Sequence, residues 1–397
     1  MNRLVKWVVI VLITIIAMSC KEIALDEPQV QDYFMKFYGN YHNDNLYDIK
    51  LTQNEEIVLA GYRQMSDESE KAWIIKTKVD GMVDWEKEFS GTNNYRGYGL
   101  YIDNLINFAA YEFVPGSTTQ KGFLCQYNMD GTLVDSLSFD ILADHVKDIK
   151  FLTNNSNLRF IVHVSLNNND EIYIYELTSS NEINLISANN LYRTVVGSLY
   201  FYEQGNGDLY LTGSFEEVDN PGYTDILVSR IIDDNIIWSY QKGESGAIEE
   251  TSGIVLLNNA LYVSATKHSD LESTDGSLYL IKMDASGLSD EEIEINLEGD
   301  NTSYNMIVNS EEEFVLVGDR KIDDKISKIF MVRISLEGQI LLENEYGNVG
   351  DSHGRFVKKL PEAKSGFVIA GNIATSTDED AKDIIVIKAD ELGEWIF

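Results

Sequence analysis

The sequence predicts an all-β fold, a seven-bladed β-propeller with four antiparallel strands per blade, and three observations carry that expectation. A pattern of roughly fifty residues recurs along the chain, a period typical of radial arrays built from short strands. Its anchor is a constant five-residue interval: Lys76 to Gly81, Gln126 to Gly131, Glu176 to Asn181, Arg230 to Asn235, Lys282 to Gly287, Arg333 to Gly338 and Lys388 to Gly393. The apolar runs before each anchor are unbroken rather than alternating, which requires sheets covered on both faces, and in a propeller each blade covers its neighbours. Only 4 prolines occur in 397 residues, in keeping with many central strands that need their N–H groups.

The N-terminal segment is set apart from the repeats. Arg3 and Lys6 precede an apolar run from Trp7 to Met18 that ends in Ser19-Cys20. A membrane-spanning helix needs about 20 apolar residues, so the shorter run reads as a secretion signal over residues 1–19. Ala17-Met18-Ser19-Cys20 resembles the lipobox of bacterial lipoproteins, with Ala17 where those motifs usually carry Leu. That resemblance implies lipidation of Cys20, a polar tether over 20–32, and an outer-membrane lipoprotein. Lys21-Glu22 is similar to the start of the surface-export signal of Bacteroidota lipoproteins. With Cys20 acylated, Cys125 is the one remaining thiol and no intramolecular disulfide can form.

Within the ring, residues 33–397, each repeat reads as strands A to D in chain order. Strand B is an apolar run ending in a small residue, as in Val58-Leu59-Ala60-Gly61, Phe314-Val315-Leu316-Val317-Gly318 and Phe367-Val368-Ile369-Ala370-Gly371. Blade three departs with His163, which reads as a satisfied core histidine. Strand C carries branched and aromatic residues, such as Trp73-Ile74-Ile75 and Ile385-Val386-Ile387, and places Cys125 at a core position. The Gly or Asn of the anchor falls in the C to D turn, where a positive φ is needed. Strand A sets a small or polar residue before an aliphatic one: Asp48-Ile49, Gly99-Leu100, Asp148-Ile149, Ser198-Leu199, Gly253-Ile254, Asn305-Met306 and, in blade seven, Arg355-Phe356. Two segments could complete the ring as a strand D, Glu394 to Phe397 or Tyr33 to Gly39; the second, which would tie both chain ends together, is preferred.

The strand B ending in Gly, the basic residue of strand C, the Asp-Gly turn and Trp85 in strand D resemble the kelch-like and quinoprotein-like propeller repeats of bacterial surface lipoproteins. The resemblance covers roughly Tyr33 to Phe397 and implies a fold far more than a function. The repeated tryptophan docking pattern of quinoproteins is absent, so no quinone and no other cofactor is expected.

The formal charge of −34 makes nucleic acid and highly sulfated glycans poor ligands, because phosphate or sulfate tracks need clustered Lys and Arg. The D to A and B to C loops share one face of such a ring and include the long, variable segments, among them 216–224, 268–276 and 375–382. Tyr41, Tyr95, Tyr192 and Tyr304 fall in D to A loops and Tyr223 in a B to C loop, near Asn or Asp; aromatic plates beside amides and carboxylates suit sugar rings. The alternative is that they pack over the blade tops. His42 and His353, with Asp44 and Asp351 nearby, are weak candidates for a metal, since no HxH or HxxxH spacing supports them and no metal is expected. The strand C cations Lys76, Arg230, Lys282, Arg333 and Lys388 read as structural salt links rather than a basic ring around an anion. The Asp-rich turns, such as Lys78-Val79-Asp80-Gly81, lack the ligand spacing of a calcium loop.

The sequence therefore predicts a lipid-anchored envelope module that binds a protein or glycan on its long-loop face. The competing expectation is a glycan-active enzyme using Asp48 and Asp148 near the axis with Arg355 as charge stabiliser, and a third is a structural subunit of an outer-membrane complex.

Overall fold

The computed structural model describes residues 33–397 apart from 41, 90, 92, 154–156, 218–221, 270–275, 289, 324–325, 348–350, 362–364, 375–380 and 396–397. The predicted signal and tether, Cys20 and Tyr41 lie outside the described residues. Residues 33–397 form a single compact unit of 28 strands with no helix among the described residues. The strands make seven antiparallel four-stranded blades in chain order, spanning 44–89, 94–142, 145–190, 195–242, 248–295, 300–346 and 352–389. The last blade takes its outer strand from the N-terminus: Phe34–Tyr38 pairs with Lys382–Ala389, Phe34 opposite Lys388 and Tyr38 opposite Ile384. Closure through the N-terminal strand is thus the observed arrangement.

The core lies between blades. Strands B and C are buried almost throughout, and each apolar cluster mixes residues of adjacent blades, as where Trp73 and Ile75 of blade one share a cluster with Val368, Ile384 and Val386 of blade seven. Unbroken apolar runs follow from this sandwiching, since both faces of every central strand meet another sheet. The outer D strands are largely exposed.

The constant five-residue interval has two causes. In Lys78-Val79-Asp80-Gly81 the glycine sits at φ 75°, and Gly131 does the same at φ 80°, the left-handed region that ordinary residues avoid. The same glycines lie under the outer strand of the preceding blade. A Cβ on Gly81 would approach the Phe34 ring to 2.5 Å, and one on Gly131 would approach Trp85 to 2.8 Å. Trp85 is fixed there by its Nε1–H, which donates to the Met129 carbonyl at 2.9 Å. The C to D turn is therefore also a joint between blades. Blade four keeps the interval but not the turn: Asp233 and Asp234 hold the positive φ values, 48° and 65°, and Asn235 is the first residue of strand D rather than the turn residue. A two-residue hairpin replaces the longer turn, which explains the shift.

Strand A carries a bulge in every blade. The register slips between Leu46 and Asp48, Gly97 and Gly99, Val146 and Asp148, Thr251 and Gly253, Ser303 and Asn305, and Gly354 and Phe356, with a wider irregularity between Val196 and Tyr200 in blade four. The extra residues are Tyr47, Tyr98, Lys147, Ser252, Tyr304 and Arg355. The bulge also accounts for the small residue ending strand B, since a Cβ on Gly61 would sit 1.8 Å from the Asn45 carbonyl oxygen. Blade seven must be realigned accordingly. Phe356-Val357, not Arg355-Phe356, matches Asp48-Ile49, because Phe356 pairs with Ala370 as Asp48 pairs with Ala60.

Innermost strands leave N–H groups that no further strand can satisfy, and neighbouring blades supply acceptors. Asp48 Oδ2 accepts the N–H of Leu100 in blade two at 3.0 Å, and Asn305 Oδ1 accepts that of Val357 in blade seven at 3.2 Å. Ser214 accepts from Thr251, Thr266 from Ser303 and Asp319 from Gly354 across later joints, at 2.9, 3.0 and 2.8 Å.

Candidate ligand-binding site

The A strands of every blade but the second line an axial cavity of about 570 Å³. Each A strand runs from the D to A loop face toward the A to B turns, so the bulge residues that reach the cavity, Tyr47, Lys147, Tyr304 and Arg355, line its middle and later residues its far end. Tyr47, Tyr200, Tyr304 and Arg355 form the middle level, and Lys50, Lys150 and Lys358 the deeper one. Those three lysines occupy one register position, opposite Val58, Ile161 and Val368 of their B strands. Altogether Lys50, Lys147, Lys150, Arg355, Lys358 and Lys382 share the wall with only Asp48, Asp148 and Glu250 as carboxylates. The wall is cationic in a chain whose formal charge is −34.

Not all of these cations are neutralised. Lys147 gives its Nζ to Asp170 at 2.8 Å, Lys150 approaches Asp148 at 3.3 Å, and Lys50 stands 3.7 Å from Asp48. Arg355 lies over the Tyr304 ring with its guanidinium carbon 4.0 Å from the centroid. Among the described residues, neither Arg355 nor Lys358 has an ion-pair or hydrogen-bond partner for its side chain. Burial, with Lys50 and Lys150 beside it, pushes the Lys358 ammonium down to about 8. Two wall hydroxyls, Thr251 Oγ1 and Ser303 Oγ, are also buried without a protein partner among the described residues.

The two axial carboxylates behave differently. Burial alone would raise Asp48, but Lys50, Lys150 and Lys358 together hold it below the ordinary carboxylate range. Burial does raise Asp148, with Asp48 adding to the effect against Lys150 and His163. Asp48 is already committed to the backbone, accepting from Ile49 at 2.8 Å as well as from Leu100. Asp148 accepts from Ile149 at 2.8 Å.

The loop tyrosines are not brought together. Tyr95 is 7% exposed and packs edge-on against Phe89, with burial and then Glu112 raising its phenol to about 12. Tyr192 stands 82% exposed on its loop, and Tyr223 is half-buried. Tyr304 is the member of the set that faces the cavity, because it is a bulge residue of strand A rather than a loop residue. Tyr47 and Tyr200 join it there; their signal in the sequence was their place beside the strand A motif. His42 is exposed, whereas His353 is held between Asp319 at Nδ1, 2.5 Å, and Asp351 at Nε2, 2.7 Å. Burial opposes its protonation, but Asp319 and Asp351 raise it overall, and with both nitrogens engaged it has no lone pair for a metal. No group of three ligating side chains occurs among the described residues.

His163 differs from the expectation of a satisfied core histidine. It is buried, but both ring nitrogens lack a hydrogen bond among the described residues, and the nearest carboxylate oxygen, of Asp170, is 3.7 Å away. The strand C cations do form salt links: Lys76 with Glu56 and Asp84, Arg230 with Asp208, Lys282 with Glu291, Arg333 with Glu311 and Glu313, and Lys388 with Glu55. Cys125 is buried, and its thiol is raised by that burial.

No protein-family model and no curated protein matches the chain. Among solved structures, it is similar to the polysaccharide lyase Uly1, with TM-score 0.51 and 9% identity over 93% of this chain and 94% of that one. The structure of KlAtg21 with the coiled coil of AgAtg16 gives TM-score 0.50 and 11% identity over 84% and 95%. Prolyl oligopeptidase B from Galerina marginata gives TM-score 0.50 and 14% identity over 88% of this chain and 52% of that one. At these identities the likeness establishes the propeller fold and no activity.

Proposed function

We propose that this chain is a binding module of the cell envelope, tethered through a lipid on Cys20, that takes a glycan or the tip of a protein partner into its axial cavity from the long-loop face. The observation that carries the reading is the cavity itself: a rigid ring holds aromatic rings, unpaired cations and unpartnered hydroxyls around one space of about 570 Å³. Concave sites with a few convergent polar groups are where ligands bind. The propeller serves as a platform, and the variable loops would select what reaches the axis.

Saturation-transfer NMR with the full chain in detergent against a saccharide panel tests the binding, with Tyr304→Ala to place it on the axis and Tyr192→Ala to place it on the loops. Loss with neither variant would remove both surfaces from the proposal, and a chain that binds no saccharide and recovers no envelope protein would end it. Palmitate labelling that disappears in Cys20→Ser tests the anchor.

A glycan-active enzyme remains the second reading because Asp48 and Asp148 share one cavity and are shifted in opposite directions, the pattern of an acid and its conjugate partner. Depolymerisation of a glycan by wild type but not by Asp148→Asn would favour it. The bonds from Leu100 and Ile49 to Asp48 argue for a structural clip instead.

A further inference from the structure

Resting on the proposal that the axial cavity is the ligand site, we infer that its ligand is a short acidic saccharide, a sugar bearing a carboxylate, held by Arg355 and by Lys358 with its lysine neighbours. The first observation is charge. Acids outnumber bases 65 to 31 in this sequence, so a cation has carboxylates available almost anywhere on the fold. The strand C cations take them, as does Lys147. Arg355 and Lys358 do not, although they sit where water is confined and an unpaired charge is costly.

Geometry adds to this. Three lysines from blades one, three and seven converge at one level of the ring, where Asp48 and Asp148 offset Lys50 and Lys150 and leave a net positive charge at Lys358 that an anion would balance. Arg355 holds its guanidinium carbon 4.0 Å from the Tyr304 centroid and has no ion-pair or hydrogen-bond partner among the described residues, so its N–H fork is available to a planar carboxylate. Three residues of extended strand separate it from Lys358, roughly 10 Å, a span that a sugar or two can cover.

The rest of the wall specifies the body of the ligand. Tyr47, Tyr200 and Tyr304 offer aromatic surfaces, and the unpartnered Thr251 Oγ1 and Ser303 Oγ require hydrogen-bonding groups opposite them. Sugars combine an apolar face with a rim of hydroxyls, and those hydroxyls can also donate to Asp48, Asp148 and Glu250. The same carboxylates, with the acidic exterior, disfavour a phosphate-rich polyanion over a ligand of few charges.

Isothermal titration of the full chain in detergent with glucuronate, galacturonate, mannuronate and sialic acid mono- to trisaccharides, their methyl esters, their neutral parents and inorganic phosphate tests the inference. At least one acid should bind, and its methyl ester should bind about 10- to 100-fold more weakly, since only the charge-assisted bonds are removed. Arg355→Gln and Lys358→Met should each weaken the acid by a similar factor while leaving the melting temperature within a few degrees; Arg355→Lys, which keeps the charge and loses the fork, should fall between. Equal affinity for acid and ester, or an acid whose binding ignores both variants, overturns the inference. If neutral sugars bind and Tyr304→Ala abolishes it, the axial site stands and the acidic ligand does not. Binding of phosphate without any acid overturns the saccharide, and binding of neither acids nor neutral sugars overturns it together with the glycan reading of the cavity.

Discussion

Lys388 and Lys282 occupy the same position of the repeat, and their different surroundings predict different consequences of the same substitution. Lys388 is fully buried, with its Nζ 2.9 Å from Glu55 of blade one and 3.5 Å from the Val79 carbonyl, so its salt link spans the joint where the ring closes. Lys282 has a side chain 41% exposed and stands 3.8 Å from Glu291, itself 68% exposed. Removing one partner of a buried pair leaves the other charge without compensation, which costs about 3–5 kcal/mol. An exposed pair contributes about 0–1 kcal/mol. Lys388→Met should therefore lower the stability of the ring by about 3–5 kcal/mol and Lys282→Met by less than about 1 kcal/mol. In Lys388→Met/Glu55→Gln both charges are gone, and the double variant should recover part of the loss, a coupling of about 0.5–3 kcal/mol. The assay is urea unfolding followed by tryptophan fluorescence, with amide exchange of Phe34–Tyr38 and Lys382–Ala389 reporting the closing strands directly. Equal effects of Lys388→Met and Lys282→Met would refute the reasoning, because burial would then not decide what the shared position contributes.

Two further outcomes follow from the joints. Gly131→Ala should cost more than Gly116→Ala in the same blade: both have positive φ, 80° and 72°, at about 1–2 kcal/mol each, but a Cβ at 131 also meets Trp85 at 2.8 Å while nothing lies within 4 Å of one at 116. Thermal melts of the two variants measure the difference. His353, faced by Asp319, Asp351 and Arg355, is raised in the folded state, so its contribution is fully present below the ordinary histidine value and is lost as pH rises through its folded pKa. The stability advantage of wild type over His353→Gln should accordingly shrink as pH rises, and an advantage that grows with pH would contradict the geometry.

The ring, its blade count and its C to D turns were legible in the sequence because they repeat, and seven noisy copies reinforce one another. Asn235 misled because blade four closes its hairpin with Asp233 and Asp234, yet keeps the same spacing by coincidence of length. The candidate site was less legible for a physical reason. Phe356 stands where blades one and three carry Asp48 and Asp148, so a motif of a small or polar residue before an aliphatic one falls on Arg355-Phe356, a residue early, and sets Lys358 one place out of line with Lys50 and Lys150. The cations recur most regularly at strand C, where they make salt links rather than a basic ring. The lysines that share one level of the cavity lie at strand A, in three blades of seven, where recurrence is too weak to notice. Tyr95 shows the converse, since an aromatic residue in a loop-like segment proved to begin a strand and enter the core.

A residue kept for binding and one kept for stability respond oppositely when removed, and Lys358 distinguishes the two. Its ammonium is desolvated, has Lys50 and Lys150 beside it, and receives from Asp48 only part of the compensation it needs, which is why it is pushed down to about 8. A base depressed in the folded state is bound to fewer protons there than in the unfolded chain, so between about 8 and its ordinary value of 10.5 native stability should rise with pH. Below about 8 the folded ring holds a charge it would lose at a gain in stability. Lys358→Met removes that charge while keeping most of the side-chain volume, and should therefore stabilise the free protein at pH 7 by about 1 kcal/mol or more and flatten the rise in stability above pH 8. Acid affinity should move the other way: weakened in the variant at pH 7, and weakened in wild type as pH passes about 8 and the ammonium is lost. Urea midpoints from pH 6 to 9.5, paired with titrations of the acidic saccharide at the same pH values, measure both. A variant less stable than wild type at pH 7 would make Lys358 part of the scaffold, because a lysine that holds the ring together has no need of an anion in the cavity.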